Sequence, residues 1–365
     1  MDVRDFDFQL PPELIAQEPA ADRSASRLLV VDRAAAALTH TRITALPEIL
    51  RSGDLLVVNN TRVFPARLIG RRVPSGGAVE CLLVRRLGTE WGRSGDGVGT
   101  ESTPSPTAAW EALMHPGQKL HPGARVIFEG IHPIHGEVLD QMFFGRRVIQ
   151  LSTADGTPLD QAIDAIGHVP LPPYIKRDDR TADRDRYQTV FARQRGSVAA
   201  PTAGLHFTAD LLAALAARGV DTVEITLHVG YGTFQPVRVD RVEDHRIEAE
   251  RYDISDSAAA AINRALDDGR RVIAVGTTST RTLEAVAHAH GGRIVAGEGA
   301  TDLFIYPGFD FQVVGALLTN FHMPKSSLLM LVAAFGGYDL VRTAYDAAVA
   351  ERYRFYSYGD AMLIT

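Results

Sequence analysis

GSVAAPTAGLHFTADLLAALAARGVDTVEITLHVGYGTFQPV, residues 196–237, forms a helix-plus-strand unit with a polar cluster at each end. Pro201, Thr202 and Gly204 precede His206, and Thr208 caps a helix expected over Ala209 to Ala217, which Gly219 ends. The β-branched run Val223 to Val229 predicts a strand that carries His228 into the loop Gly230, Tyr231, Gly232, Thr233. Glycines beside histidines suit a backbone that approaches something closely. Either end alone reads equally well as a tight turn whose histidine is satisfied by backbone. Two ends built alike favour a site.

The same alternation runs outward in both directions. Toward the N-terminus, strands are expected at Leu28 to Val31, Leu38 to Thr41 and Asp54 to Val58, with a helix around Leu46 to Leu50. Asn59, Asn60, Thr61 and Arg62 close the last of these strands. A strand apolar throughout is buried on both faces, and α/β sheets place ligands at the polar C-terminal ends of such strands. An Asn-rich turn is the competing reading. Toward the C-terminus, helix Ser257 to Leu266 and strand Arg271 to Val275 lead through Gly276 into TTSTRTLEAVAHA, a helix opened by Thr277 and Thr278 with Arg281 one turn in. A glycine turn before a helix N-terminus is a natural anion site, and also an ordinary capped βα turn. Strand Ala316 to Leu318 ends in Thr319, Asn320, Phe321 and His322, and Pro324 and Ser326 open a helix to Phe335. A last helix, Tyr338 to Arg352, leads into Arg354 to Asp360 and a final strand, Met362 to Ile364. The aromatic cluster there, including Tyr358, reads equally as a core edge.

Between Val63 and about Asp155 the texture changes to short β runs separated by glycine and proline, as in Val79 to Leu87, Ala124 to Phe128 and Arg146 to Leu151. This predicts a small all-β domain of barrel type. Within it, Gly88 to Thr107 reads as a surface loop. A helix is expected at Pro158 to Ile166. Lys176 to Arg195 then carries seven basic and four acidic side chains, a pattern that suits either an RNA grip with Tyr174 and Tyr187 or a solvated loop.

Composition narrows the class of function. A chain of 365 residues, 45% hydrophobic, can bury a core for two domains. The opening MDVRDFDFQLPPELIAQEP lacks an apolar signal core and no apolar run reaches membrane-spanning length, so a cytoplasmic protein with no membrane partner is expected. The single cysteine, Cys81, excludes an internal disulfide and a multi-cysteine metal site. A net charge of −6 argues against indiscriminate nucleic-acid binding. Of 38 cationic side chains only Lys119, Lys176 and Lys325 are lysines, which matches the alanine-rich composition and decides nothing about partners. No exposed heptad is evident, so a monomer is expected. His206, His228 and His322 sit at element ends that converge in an α/β sheet. They suit proton transfer better than metal ligation, because they form no H-x-H or H-x-x-x-H pair. No G-x-S-x-G elbow marks a serine hydrolase.

Ten ordered motifs go further: FDFQLPPELIAQEP with RSASRLLV, GDLLVVNNTRVFPARL, VPLPPYIKR, RYQTVFA, GSVAAPTAGLHFT, ITLHVGYGTFQPV, GTTSTRTLE, TDLFIYPGF, LLTNFHMPKSSLLMLVAAFGG and RFYSYGDAMLI. Together they resemble the S-adenosylmethionine:tRNA ribosyltransferase-isomerase (QueA) family of queuosine biosynthesis over nearly the whole chain. The resemblance implies a cytoplasmic transferase that moves the ribosyl carbons of S-adenosyl-L-methionine onto 7-aminomethyl-7-deazaguanine at the wobble position of tRNA with a GUN anticodon. Adenine and methionine leave and epoxyqueuosine is formed, with no metal. It implies an α/β fold with a barrel-like main domain, residues 1–62 and 156–365, interrupted by a small antiparallel β-barrel at 63–155. It carries His206, His228, His322 and Asp360 over as candidates for the base and proton donor, with their roles open. It carries over Asn59, Asn60, Thr61, Arg62, Thr202, Gly204, Gly230, Tyr231, Gly232, Thr233, Gly276, Thr277, Thr278, Arg281, Asn320 and Tyr358 as substrate-binding candidates. One departure stands out: the family pattern H-x-M-H-x-E is met by His245, Arg246, Ile247, Glu248, Ala249 and Glu250, so Glu248 replaces the second histidine. A catalytically impaired tRNA-binding homologue and a metal-dependent hydrolase are the alternatives.

Overall fold

Leu55–Asn59, the strand LLVVN, is buried at every position, and its side chains alternate between two cores. Leu55 and Val57 join one core, Leu56 and Val58 the other, as the two-residue period of a strand requires. In this computed structural model, which describes residues 1–87, 104–234 and 237–365, that strand lies inside a nine-stranded mixed sheet. The sheet order is Gly297–Thr301, Glu250–Ile254, Asp221–Leu227, Leu55–Asn59, Val272–Val275, Val314–Asn320, Ala361–Ile364, Arg27–Asp32 and Ala37–Arg42. Four consecutive strands, from Asp221–Leu227 to Val314–Asn320, run parallel, so Leu227, Asn59, Val275 and Asn320 all end on the same side.

Helices cover both faces. Asp256–Asp267, Thr277–Ala289, Ser327–Gly336 and Tyr338–Ala350 bury Ile262, Leu283, Val332 and Ala344 in the larger core. Ala209–Ala217 buries Leu211 and Leu215 in the other, capped as expected by Thr208, whose side chain accepts from Leu211 N at 3.1 Å. The buried Glu284 carboxylate accepts from the backbone N–H groups of Gln312, Val313 and Val314 at 2.8–3.0 Å, fixing where strand Val314–Asn320 begins. The α/β main unit with an inserted barrel is thus the architecture of the chain. Closure belongs to the inserted unit, while the large sheet ends in two polar edge strands, Gly297–Thr301 and Ala37–Arg42. Among the described residues no single helix is long and apolar enough to cross a membrane.

The chain separates into two compact units, one of residues 1–62, 172–178 and 185–365, the other of residues 63–171 and 179–184. In the second, six antiparallel strands close into a barrel ordered Arg146–Thr153, Thr107–His115, Ala78–Arg86, Arg67–Val73, Arg125–Phe128 and Ile134–Gln141. Cys81 is a buried strand residue there. The expected return to the main domain at residue 156 falls later in the chain. Helix Leu159–Ile166 belongs to the barrel unit: Leu159 N bonds Ser105 O at 2.8 Å, and Asp160 pairs with Arg86 at 3.0 Å. The loop read over Gly88 to Thr107 lies, up to residue 103, outside the described residues.

Candidate functional site

Two helices begin where the parallel strands end. Gly276, at φ +91°, turns strand Val272–Val275 into helix Thr277–Ala289, and a Cβ there would stand 3.6 Å from Ala203. That contact sets the turn Thr202–His206 against the end of this strand. Ser326 caps helix Ser327–Gly336 by accepting from Leu329 N at 3.2 Å. Between these helix starts opens a cleft of about 630 Å³, the open solvent at its mouth included. Its walls come from Ala200 to Ala203, Val229 and Thr233, Gly276 to Thr278, Thr319 to Met323, Ser326 and Leu328, and Tyr356 and Ser357, with Tyr174 closing one side. The first turns of both helices direct backbone N–H groups and the positive end of the helix dipole into this region.

Of the residues singled out by sequence, Thr202, Thr233, Gly276, Thr277, Thr278, Asn320 and His322 line the cleft. His322 accepts or donates at Nε2 to Thr319 Oγ1, 2.8 Å away, while its backbone N–H donates to Tyr345 OH at 2.9 Å. Burial pushes its pKa down to about 3, so the ring is neutral near pH 7. His206 lies behind this wall, with Nδ1 3.0 Å from Ser26 Oγ. Burial and the positive charge of Arg354 push its pKa down to about 4, and Asn320 offsets part of that. Asn320 and His206 nevertheless form no completed hydrogen bond: Oδ1 of one and Nε2 of the other are both buried and unpartnered.

His228 occupies a different cluster. Thr61 Oγ1 lies 2.8 Å from both Ser197 Oγ and His228 Nδ1, and Ser197 Oγ accepts from Val229 N at 2.7 Å. Gly196 makes room for the ring: a Cβ there would stand 2.6 Å from it. Burial, with Arg251 adding to it, holds the His228 pKa down at about 4. Among the described residues no three histidine, cysteine, aspartate or glutamate side chains gather as a metal ion would need.

Several other candidates hold the frame around the cleft. Asp360 accepts from the backbone of Arg27 at 3.0 Å and of Arg354 at 2.8 Å, which occupies both carboxylate oxygens. Asn59 ties three segments, donating to Leu227 O at 2.9 Å and accepting from Leu227 N and Thr61 N at 3.1 Å each. Asn60 donates to Glu224 and accepts from Thr226, whereas Arg62 is exposed. Arg281 is buried and bonds the carbonyls of Leu303 and Thr301 and the carboxylate of Glu250. Glu250 in turn accepts from Gly230 N at 2.8 Å and Thr233 Oγ1 at 3.4 Å, so this ion pair positions the loop Gly230 to Thr233 and its cleft residue. Gly204 and Tyr358 are packed, Tyr358 edge-on to Tyr187 at 5.8 Å. The carboxylate of Glu248, where the family pattern has histidine, lies beside Gly232.

Tyr174, Tyr356, Ser357 and Ser326 line the cleft without being among the substrate-binding candidates. Tyr174 was marked only as part of a possible RNA grip, and the others only by membership of the motifs RFYSYGD and HMPKSS. The basic run from Lys176 has a structural use: Arg177 bonds Gln17 O and Arg186 bonds the carbonyls of Ala20 and Ala21.

The whole chain matches known sequences. Residues 3–364 match the family model described as queuosine biosynthesis protein. The chain is 51% identical over 364 residues to the S-adenosylmethionine:tRNA ribosyltransferase-isomerase of Symbiobacterium thermophilum, covering 100% of both. It is 51% identical over 363 residues to the protein of the same name from Geobacter sulfurreducens, covering 99% of each. Its fold is similar to the crystal structure of S-adenosylmethionine tRNA ribosyltransferase from Thermotoga maritima, with a TM-score of 0.53 and 35% identity over 99% of this chain and 100% of that one.

Proposed function

The chain belongs to the queuosine biosynthesis protein family, and from that premise we propose that it is a transferase acting on S-adenosylmethionine and tRNA. It moves the ribosyl moiety of S-adenosylmethionine onto 7-aminomethyl-7-deazaguanine at the wobble position of tRNA with a GUN anticodon, and isomerises it. Adenine and methionine leave, and the base becomes epoxyqueuosine. The chain acts as a monomer in the cytoplasm. One observation supports this reading above the rest: segments carrying the family motifs, around Tyr174, Thr202, Thr277, Asn320 and Tyr356, are far apart in sequence and meet at a single cleft.

The chemistry sets the roles. The sulfonium of S-adenosylmethionine acidifies the C5′ hydrogens, and a base removes one. The C4′–O bond then breaks, adenine departs from C1′ with a proton, and a vinyl sulfonium aldehyde remains. The tRNA amine adds to the vinyl carbon and loses a proton. The resulting ylide closes onto the aldehyde, and the new alkoxide displaces methionine to form the epoxide. His322 is assigned as the base for C5′ on its place in the cleft wall. Its Nε2 is engaged by Thr319, which leaves Nδ1 to take the proton. The helix starts at Thr277 and Ser327 suit the methionine carboxylate. Asp360, His228, Asn59 and the Arg281–Glu250 pair are assigned to positioning, because their polar atoms hold neighbouring backbone or side chains.

The test is adenine release by the single-chain fraction from a sizing column. Adenine is expected with S-adenosylmethionine and tRNA carrying the aminomethyl base, and not with tRNA lacking it. Absence of adenine with the modified tRNA would overturn the reading, and activity confined to a larger species would overturn the monomer.

A further inference from the structure

Asn320 is 2% exposed and His206 3%, yet Asn320 Oδ1 and His206 Nε2 have no hydrogen-bond partner. Native interiors seldom leave such atoms unpaired unless a ligand or water completes them. The Asn320 amide is not free to rotate, since its Nδ2 donates to Tyr356 O at 3.0 Å and a flip would set two oxygens against each other. Asn320 also lines the cleft.

Beside it the backbone is held in an unfavourable shape. Tyr356 has φ +71°, a region a bulky side chain rarely adopts. Three hydrogen bonds retain it there: its N–H donates to Phe321 O at 3.1 Å, and its carbonyl accepts from Asn320 and from Gly359 N at 2.9 Å. The Tyr174 ring stands 4.7 Å from the Tyr356 ring at 54°, and the Tyr174 hydroxyl is pinned by Ser357 Oγ at 2.5 Å. Both tyrosines line the cleft. An aromatic wall therefore adjoins an unsatisfied acceptor.

We propose that Tyr174, Tyr356 and Asn320 form an aminopurine subsite, in which a flat base stacks on the tyrosines and donates its exocyclic N–H to Asn320 Oδ1. The subsite rests on the ribosyl-transfer reading, which supplies two bases of this chemistry: the adenine of the donor and the deazaguanine of the acceptor.

Calorimetric titration of the full chain separates them. One pair of ligands is S-adenosylhomocysteine and its counterpart lacking the 6-amino group. The other is an anticodon stem-loop carrying the aminomethyl-deazaguanine and one carrying its 2-deamino counterpart. Loss of the amine is expected to weaken binding about tenfold or more in one pair, and that pair identifies the source. Tyr174→Leu is expected to weaken the same ligand by about tenfold, and Tyr174→Phe, which keeps the ring, by less than about threefold. Equal binding within about twofold in both pairs overturns the subsite, whatever the folding of the leucine variant. Adenine release by the wild-type chain alongside that result leaves the ribosyl-transfer reading standing; no binding of either ligand and no adenine release overturns both.

Discussion

Three histidines with depressed pKa values share one physical cause and have three different surroundings. Burial disfavours the imidazolium in each, to about 4 at His206 and His228 and about 3 at His322. Only His322 lines the cleft, and burial keeps its ring neutral throughout the physiological range. His322→Ala is expected to lower turnover by about 10²- to 10⁴-fold while leaving the affinities for S-adenosylmethionine and tRNA within about threefold. Single-turnover kinetics beside equilibrium binding checks this, and equal losses in both would mean a binding role. Residue chemistry marked all three histidines in the sequence, but not which one faces the ligand. Asp360 and Arg281 show the same limit from the other side. Both were marked by type and motif, and both spend their polar atoms on neighbours whose approach depends on the packed structure.

At the scale of elements, periodicity was a reliable guide wherever a segment buries one face or both. The strands Leu55–Asn59 and Val272–Val275 and the helices Ala209–Ala217 and Tyr338–Ala350 fall where apolar spacing and caps place them. Glu250–Ile254 and Gly297–Thr301 carry no strand signal, because the first buries only its two end residues and the second only its last, and both are otherwise rich in glycine, charge or polar side chains. Sheet pairing, rather than local preference, makes them strands. The unread strand matters, because Glu250 at its start holds the loop Gly230 to Thr233. Glu250→Gln would leave the buried Arg281 guanidinium without its counter-charge. A loss of about 3–5 kcal/mol in unfolding free energy is expected from urea denaturation, with weaker binding of S-adenosylmethionine. An unchanged urea midpoint would show that the pair contributes nothing net.

Over the whole molecule the buried histidines link stability to pH. Above pH 6.5, the ordinary value, neither folded nor unfolded His206 carries a proton. Between 6.5 and its folded value of about 4 the unfolded chain binds a proton that the folded chain refuses, so stability falls with pH across that window. His206 alone accounts for a loss on the order of 3 kcal/mol, with His228 and His322 acting in the same direction. Urea midpoints at about pH 7.5, 6 and 5 are expected to decline in that order, and a flat series would mean that these rings titrate normally.

What the sequence alone determined is the class of the fold and the set of segments that matter. Alternating apolar strands and capped helices specify an α/β sheet, the break in texture after Val63 marks an inserted β-barrel, and the ordered motifs identify the family. Both kinds of information are local, written within a turn of helix or a few residues of strand. Only the tertiary structure decided which of the marked residues line the cleft and which frame it. It brought Tyr174 and Tyr356 together, left Asn320 Oδ1 unpaired, and assigned helix Leu159–Ile166 to the barrel unit. Those outcomes depend on pairings between residues far apart in sequence, such as Tyr174 with Tyr356 and Arg27 with Asp360, which become defined only when the sheet closes its ladder and the cores exclude water.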